Sequence, residues 1–224
     1  MNENQPVGRK THAYVMQRSD IEGAADCIAK AFCGTTVNGI EVIEPVITAL
    51  NITYDELYNF TKDYSQKIVD DELCVVIKDE DGTVVAAIIA EYLSDEEPDT
   101  EGMSDKFIGV MELVEYLDNK FRATELSKKG QWAHGFLIGS TLEASQNNYT
   151  AQMFELLANQ IKKTGCVGII GEVTNPYSLF MAKRMGAQEL KEAFLSYKDF
   201  EVDGQKIFES IDTSEGCQLI YYTV

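Results

Sequence analysis

The stretch from Gln131 to Ala187 does most to limit the fold. In it, QWAHGFLIGSTL (Gln131–Leu142) reads as a long strand and TAQMFELLANQIKK as a core-facing helix stopped at Thr164-Gly165. CVGIIGEV (Cys166–Val173) follows as a short buried strand. NPYSLFMAKRMGA is then a helix with Pro176 near its first turn and Gly186 past its end. Strands that alternate with helices require a sheet with helices on its faces. Upstream the pattern differs: ELCVVIK (Glu72–Lys78), the turn DEDG (Asp79–Gly82) and TVVAAIIAEYL (Thr83–Leu93) form a β-hairpin. The combination implies a mixed α/β sheet.

The remaining segments fit around that sheet. THAYVMQ (Thr11–Gln17) reads as a first strand, and IEGAADCIAKAF has helical periodicity. CGTTVNG (Cys33–Gly39) reads as a loop, and Pro45 opens a short helix. Thr53 and Glu56 form a capping-box pattern for a helix that runs to about Val69. SDEEPDTEGMSD is an acidic loop, FIGVMELVEYLDNKF a helix, and EAFLSYKDFEV and CQLIYYTV are strands. No linker separates two halves, so residues 1–224 read as one domain.

Composition bounds the function. The formal net charge of −18 argues against sequence-independent nucleic-acid binding and against anionic membranes. It suits attraction of cationic substrates such as amines, and equally it confers solubility. No apolar run is long enough to span a bilayer, and MNENQPVGRKTH lacks the apolar core of a signal peptide, so the expected location is cytoplasmic. Five scattered cysteines without a CxxC pair give no disulfide framework, and two histidines cannot build a histidine-rich metal site.

The polar segment SQNNYTAQ, between the strand GFLIGSTL and its helix, and the later GEVTNPYSLFMAKRMGA resemble two blocks of the GCN5-related N-acetyltransferase (GNAT) family. By element order the resemblance spans nearly the whole chain. It is most specific from His134 to Ala187. The family holds acetyl-coenzyme A at a Q/R-x-x-G-x-G/A turn, a position taken here by Gln146, Asn147, Asn148, Tyr149, Thr150 and Ala151. Helix N-terminal N–H groups lack intrahelical partners there and point at the diphosphate. Tyr149 replaces the central glycine, so its ring swings outward or the cradle is widened. The resemblance further implies that the strand backbone at Leu137, Ile138, Gly139, Ser140 and Thr141 pairs with the pantetheine arm. Asn175 would contact the same arm or the adenosine, and Ser178 is the small residue of the next helix's first turn. Many members place a tyrosine where Ala182 stands to protonate the departing thiolate. Tyr177 or Ser178 is the substitute here, and Tyr177 also reads simply as a helix-start residue packed over the sheet.

AF…IEPVITALNITYDEL is similar to the arylalkylamine N-acetyltransferase-like branch, which makes Glu44, before Pro45, the implied base. Read without the resemblance, Glu44 only favours a helix dipole. His134 reads as structural, Glu172 as a strand-end acid facing solvent or capping the next helix, and Glu91 as an acid that faces either solvent or the cleft. The implied fold is a mixed, mostly antiparallel central sheet with a splayed parallel strand pair and helices on both faces. Its core motif region covers 131–187, and its C-terminal strands cover 191–224. The implied activity is transfer of acetyl from acetyl-coenzyme A to a small-molecule primary amine in a ternary complex, with no metal. The alternative is a non-catalytic domain that binds acyl-coenzyme A or a protein partner. The C-terminal YYTV offers an edge for pairing two copies as a homodimer.

Overall fold

The computed structural model describes residues 12–37, 40–42, 44–94, 103–141 and 149–224. In chain order the elements are β1 (His12–Val15), α1 (Ile21–Phe32), β2 (Thr35–Val37), β3 (Ile40–Val42), α2 (Pro45–Ala49), α3 (Tyr54–Ile68), β4 (Val75–Lys78) and β5 (Val84–Tyr92). They continue as α4 (Asp105–Arg122), β6 (Trp132–Ser140), α5 (Tyr149–Thr164), β7 (Gly168–Val173), α6 (Pro176–Arg184), β8 (Gln188–Ser196) and β9 (Gly216–Thr223). A seven-stranded sheet runs in the order β1-β4-β5-β6-β7-β9-β8. Its β6–β7 pair is parallel, and every other pair is antiparallel. Among the described residues, no helix is long and apolar enough to cross a membrane.

The apolar runs of the hairpin follow from burial on both faces. Val75 and Ile77 of β4, with Ala86, Ile88 and Ala90 of β5, pack under Tyr149, Met153, Leu157 and Ile161 of α5. The alternate residues Val76, Ala87 and Ile89 face Ala24, Cys27 and Ile28 of α1. The α1 contact is close because its residues are small: a Cβ on Gly23 would sit 2.9 Å from Val84. Farther along that face, Leu113, Val114, Leu117 and Phe121 of α4 cover Trp132, Ile170 and Leu219. The five cysteines are free, and Cys27, Cys74, Cys166 and Cys217 are buried.

Local signals place the helices. Thr53 caps α3 through a reciprocal box: its hydroxyl accepts from the Glu56 N–H at 3.3 Å, and Glu56 Oε2 accepts from the Thr53 N–H at 2.8 Å. Lys106 of α4 then reaches Glu56 Oε1 at 2.8 Å and holds that carboxyl down to about 2. Gly165 and Gly186, with φ of 80° and 92°, stop α5 and α6 in a conformation that costs glycine little.

The expected loop at Cys33–Gly39 is a correction. Thr35–Val37 pairs with Ile40–Val42 as a small antiparallel ribbon. The missed signal is the set of β-branched residues flanking the Asn38-Gly39 dipeptide, a strong hairpin signature. Strand β8 also starts earlier than expected, at Gln188. Its pairing with β9 is interrupted between Glu189 and Phe194, where the buried Gln218 amide donates to the carbonyls of Leu190 at 2.7 Å and Ala193 at 3.0 Å.

Two substitutions probe this packing. Thr53→Ala should lower stability by about 0.5–2 kcal/mol in urea unfolding, the usual cost of a lost N-cap. At Gly168 a Cβ would lie 2.3 Å from the Tyr222 carbonyl and 2.4 Å from the Trp132 ring. Gly168→Ala should therefore cost at least ~1–3 kcal/mol, as overpacking does; an unchanged midpoint would refute the close approach.

Candidate active site

The site begins where two strands part. Strands β6 and β7 pair only at Trp132–Gly168, Ala133–Ile169 and His134–Ile170. Beyond that rung, β6 stays on β5 as far as the Ala86–Ser140 pair, and β7 stays on β9 as far as Val173–Gln218. Each strand keeps its outer neighbour and loses the inner one. A bulge accompanies the parting: Ile89 pairs with Leu137 and Ala90 with Gly135, leaving Phe136 extra. Bulges bend and twist the strand that carries them, which turns β6 away from β7. Gly135 and Gly171 flank the start of the gap, and a Cβ on Gly171 would meet the Gly135 carbonyl at 3.0 Å. The two backbones thus still approach closely at the apex of the wedge, where glycine leaves room for them.

Glu44 stands at the N-cap of α2, where its Oε2 accepts from the Ile47 N–H at 2.6 Å. Its Oε1 is buried and accepts no hydrogen bond. Burial raises the carboxyl above the ordinary 4.5, opposed by the Thr174 hydroxyl and by the Ile47 and Val46 N–H groups. Thr174 directly follows β7, and its carbonyl accepts from the Tyr197 hydroxyl at 2.8 Å. Asn175 caps α6: its Oδ1 accepts from the Ser178 N–H at 2.9 Å. Glu44, Thr174, Asn175 and Ser178 therefore gather around the end of β7. Tyr177, in the same turn, is 64% exposed instead of packed over the sheet.

A second polar group lies at the foot of the wedge, on the α4 side. His134 is buried, and its Nε2 lies 2.8 Å from Glu172 Oε2. Its Nδ1 faces Glu91 Oε1 at 3.6 Å, and Glu91 accepts a hydrogen bond from Tyr64. Asp118 of α4 completes the group. Burial alone would lower the His134 pKa. The charge and hydrogen bond of Glu172, with Glu91 and Asp118, outweigh it and hold the imidazole well above 6.5. Burial and Glu172 push Asp118 up to about 7, against the pull of His134 and Arg122. Glu172 thus does not face solvent, its side chain being only 5% exposed, and it pairs with His134 while Asn175 caps the next helix. Asp118 has no sequence signal beyond its place beside the apolar stripe of Val114, Leu117 and Phe121.

The residues expected at the coenzyme divide in three. Leu137, Ile138, Gly139 and Ser140 lie on the diverging part of β6, and the N–H of Thr141 donates to the Val85 carbonyl at 2.8 Å. Gln146, Asn147 and Asn148 lie outside the described residues. Tyr149 and Thr150 open α5, and Ala151 lines a groove of about 450 Å³ between α5 and α6, along with Phe154, Ile169, Ala182 and Tyr222. The Tyr149 ring corrects one expectation for it: it does not swing outward, but is 6% exposed and packed with Met153 and Leu157 over the sheet. Spacing holds the clue: Tyr149, Met153, Leu157 and Ile161 recur every fourth residue. Tyr149→Ala should cost about 3–5 kcal/mol in chemical denaturation, the range for large core aromatics; a near-neutral result would put the ring outside the core.

No family model and no curated protein matches the sequence. Solved structures do match in shape. An agmatine N-acetyltransferase (a serine-to-alanine mutant, in apo form) superposes with a TM-score of 0.79 at 17% identity, covering 96% of this chain and 99% of that one. The C-terminal condensation domain of Ebony, in complex with beta-alanyl-dopamine, gives 0.78 at 16% identity, with coverage of 96% and 100%. Arylalkylamine N-acetyltransferase 2 from Aedes aegypti gives 0.76 at 10% identity, with coverage of 96% and 99%. Together with the parting of β6 and β7, these likenesses establish that the chain has the fold of the GCN5-related N-acetyltransferases.

Proposed function

We propose that the protein transfers an acetyl group from acetyl-coenzyme A to a primary amine, by direct attack of the amine in a ternary complex. The separation of β6 and β7 beyond the His134–Ile170 rung carries this reading. Uncovered backbone in such a gap needs partners. A peptide-like pantetheine arm supplies them in the manner of an added strand, against Leu137–Thr141. The N–H groups opening α5 suit the diphosphate. The coenzyme contributes the acetyl thioester; the remaining work falls to side chains of this chain.

The acceptor amine is the harder partner. A primary amine with a pKa of ~10.4 is almost wholly protonated at neutral pH, and the neutral form costs ~4–5 kcal/mol. Glu44 receives the proton, directly or through water. Its free Oε1 and the neighbouring Thr174 hydroxyl support that role. As the N–C bond forms and the C–S bond breaks, the thiolate takes a proton from Ser178 or Tyr177 in the first turn of α6, and that hydroxyl regains one from the second N–H proton the nitrogen sheds on becoming an amide. The net charge of −18 favours a cationic acceptor. Relatives in shape named for agmatine and arylalkylamines support a small-molecule amine.

Glu44→Gln tests the base. It should lower kcat/KM by ~10²–10⁴ near neutral pH and leave coenzyme affinity unchanged. The working form of Glu44 is the ionised one. The wild-type rate should therefore climb as pH rises through a value above 4.5, and the variant should lack that limb. Because the folded-state pKa is raised, Glu44 adds stability below its unfolded pKa and loses it as pH rises through the folded one. Glu44→Gln should accordingly unfold at a higher temperature than wild type at neutral pH. Rates and profile identical to wild type would remove Glu44 from the chemistry.

Gly171→Val tests the wedge. With circular dichroism unchanged, coenzyme affinity in isothermal titration should drop by about tenfold or more, equal to ~1.4 kcal/mol or more. Full affinity in that variant would place the coenzyme elsewhere. Coenzyme binding without thiol release across a panel of arylalkylamines, agmatine and polyamines would favour a non-catalytic role, for which Ala182 is the supporting observation.

A further inference from the structure

We propose that Asp118, His134 and Glu172 bind a divalent first-row transition-metal ion, with Glu91 and Tyr64 as outer support, independently of any acyl transfer. One donor atom from each of the three residues lies within 4.8 Å of the others. The closest measured pair, His134 Nε2 and Glu172 Oε2, is 2.8 Å apart. Ligand bonds of ~2.0–2.2 Å put neighbouring donors about 3 Å apart, so this pair already has the spacing of adjacent ligands.

Two buried oxygens lack partners. Glu172 Oε1 and Asp118 Oδ1 accept no hydrogen bond, and the Glu172 side chain is 5% exposed. Buried acceptors without donors are costly, and a cation relieves both at once. The charge balance agrees: Asp118, Glu172 and Glu91 converge on one imidazole, with Arg122 close enough to influence Asp118. On binding, the ion displaces the Nε2 proton that faces Glu172, so a dication takes the place of the single imidazolium charge among these carboxylates.

The outer arrangement matches what a metal-bound histidine requires. With Nε2 on the metal, Nδ1–H needs an acceptor that fixes the ring. Glu91 Oε1 faces Nδ1 at 3.6 Å, and the Tyr64 hydroxyl holds Glu91 in place. The Glu91 side chain, 26% exposed, leaves one flank open to solvent for access. One nitrogen and two carboxylates suit Zn²⁺ and Mn²⁺, whereas all-oxygen cages suit Ca²⁺ and Mg²⁺. Only one histidine is needed, so the scarcity of histidines is no obstacle. Because the three ligands come from α4, β6 and β7, the ion would tie together both strands at their divergence.

The full chain, free of any affinity tag and stripped with chelator, should be titrated with Zn²⁺ and with Mn²⁺ in separate calorimetry runs. Stoichiometry is read by elemental analysis after gel filtration. One equivalent of Zn²⁺ or Mn²⁺ should bind, and the melting temperature should rise. Glu172→Gln and Asp118→Asn, which keep shape and remove charge, should each weaken binding at least about tenfold, and Tyr64→Phe by ~10-fold as an outer-support change. Wild-type protein that takes up neither ion at millimolar concentration would overturn the proposal, even if the variants fail to fold. So would one-equivalent binding that survives in the Asp118→Asn/Glu172→Gln double variant.

Discussion

Strand β6 cannot satisfy β5 and β7 along its whole length. Three rungs bind it to β7, and the extra residue Phe136 then breaks the match. Everything at the candidate site depends on that broken match. The outer partners β5 and β9 hold each strand rigid, so the gap is not a frayed end. It sits between two well-paired halves of one sheet, with α1, α3 and α4 on one face and α5 on the other. A gap of that kind leaves hydrogen-bonding groups exposed without costing the core its packing.

The parting also explains where the charged residues lie. Glu172 of β7 and Thr174 just after it, alternate residues beyond the last rung, no longer have β6 beside them. Side chains fill the role of the missing ladder: Glu172 joins His134, and the Thr174 hydroxyl reaches Glu44. Carboxylates in such surroundings are destabilising unless paired. Tyr64, Glu91, Asp118 and the α2 backbone supply the pairing in part, and the leftover acceptors on Glu44, Glu172 and Asp118 mark where further partners fit.

Much of the fold is legible in the sequence because periodicity reports burial. The hairpin β4–β5 is apolar on both faces, and its sequence limits match the strands within a few residues. The Thr53 box and the Pro176 start place two helices correctly. The β2–β3 ribbon escapes because its strands are three residues each, too short for alternation to register. At the site, short-range signals work and long-range ones do not. Glu44 beside Pro45 is visible as a cap. The bond between His134 and Glu172 joins residues 38 apart, and nothing local to either announces it. Tyr149 misleads for the opposite reason: it occupies a motif position, yet its four-residue recurrence with Met153 and Leu157 already marks it as core.

The chain's one tryptophan stands at the fulcrum of this arrangement. Trp132 opens β6, pairs with Gly168 in the first parallel rung, and is 2% exposed against Phe121, whose ring centroid is 5.1 Å away. Its emission therefore comes from a single dry environment two residues from the divergence. Intrinsic fluorescence therefore reports, without a label, on the packing beside the last paired rungs.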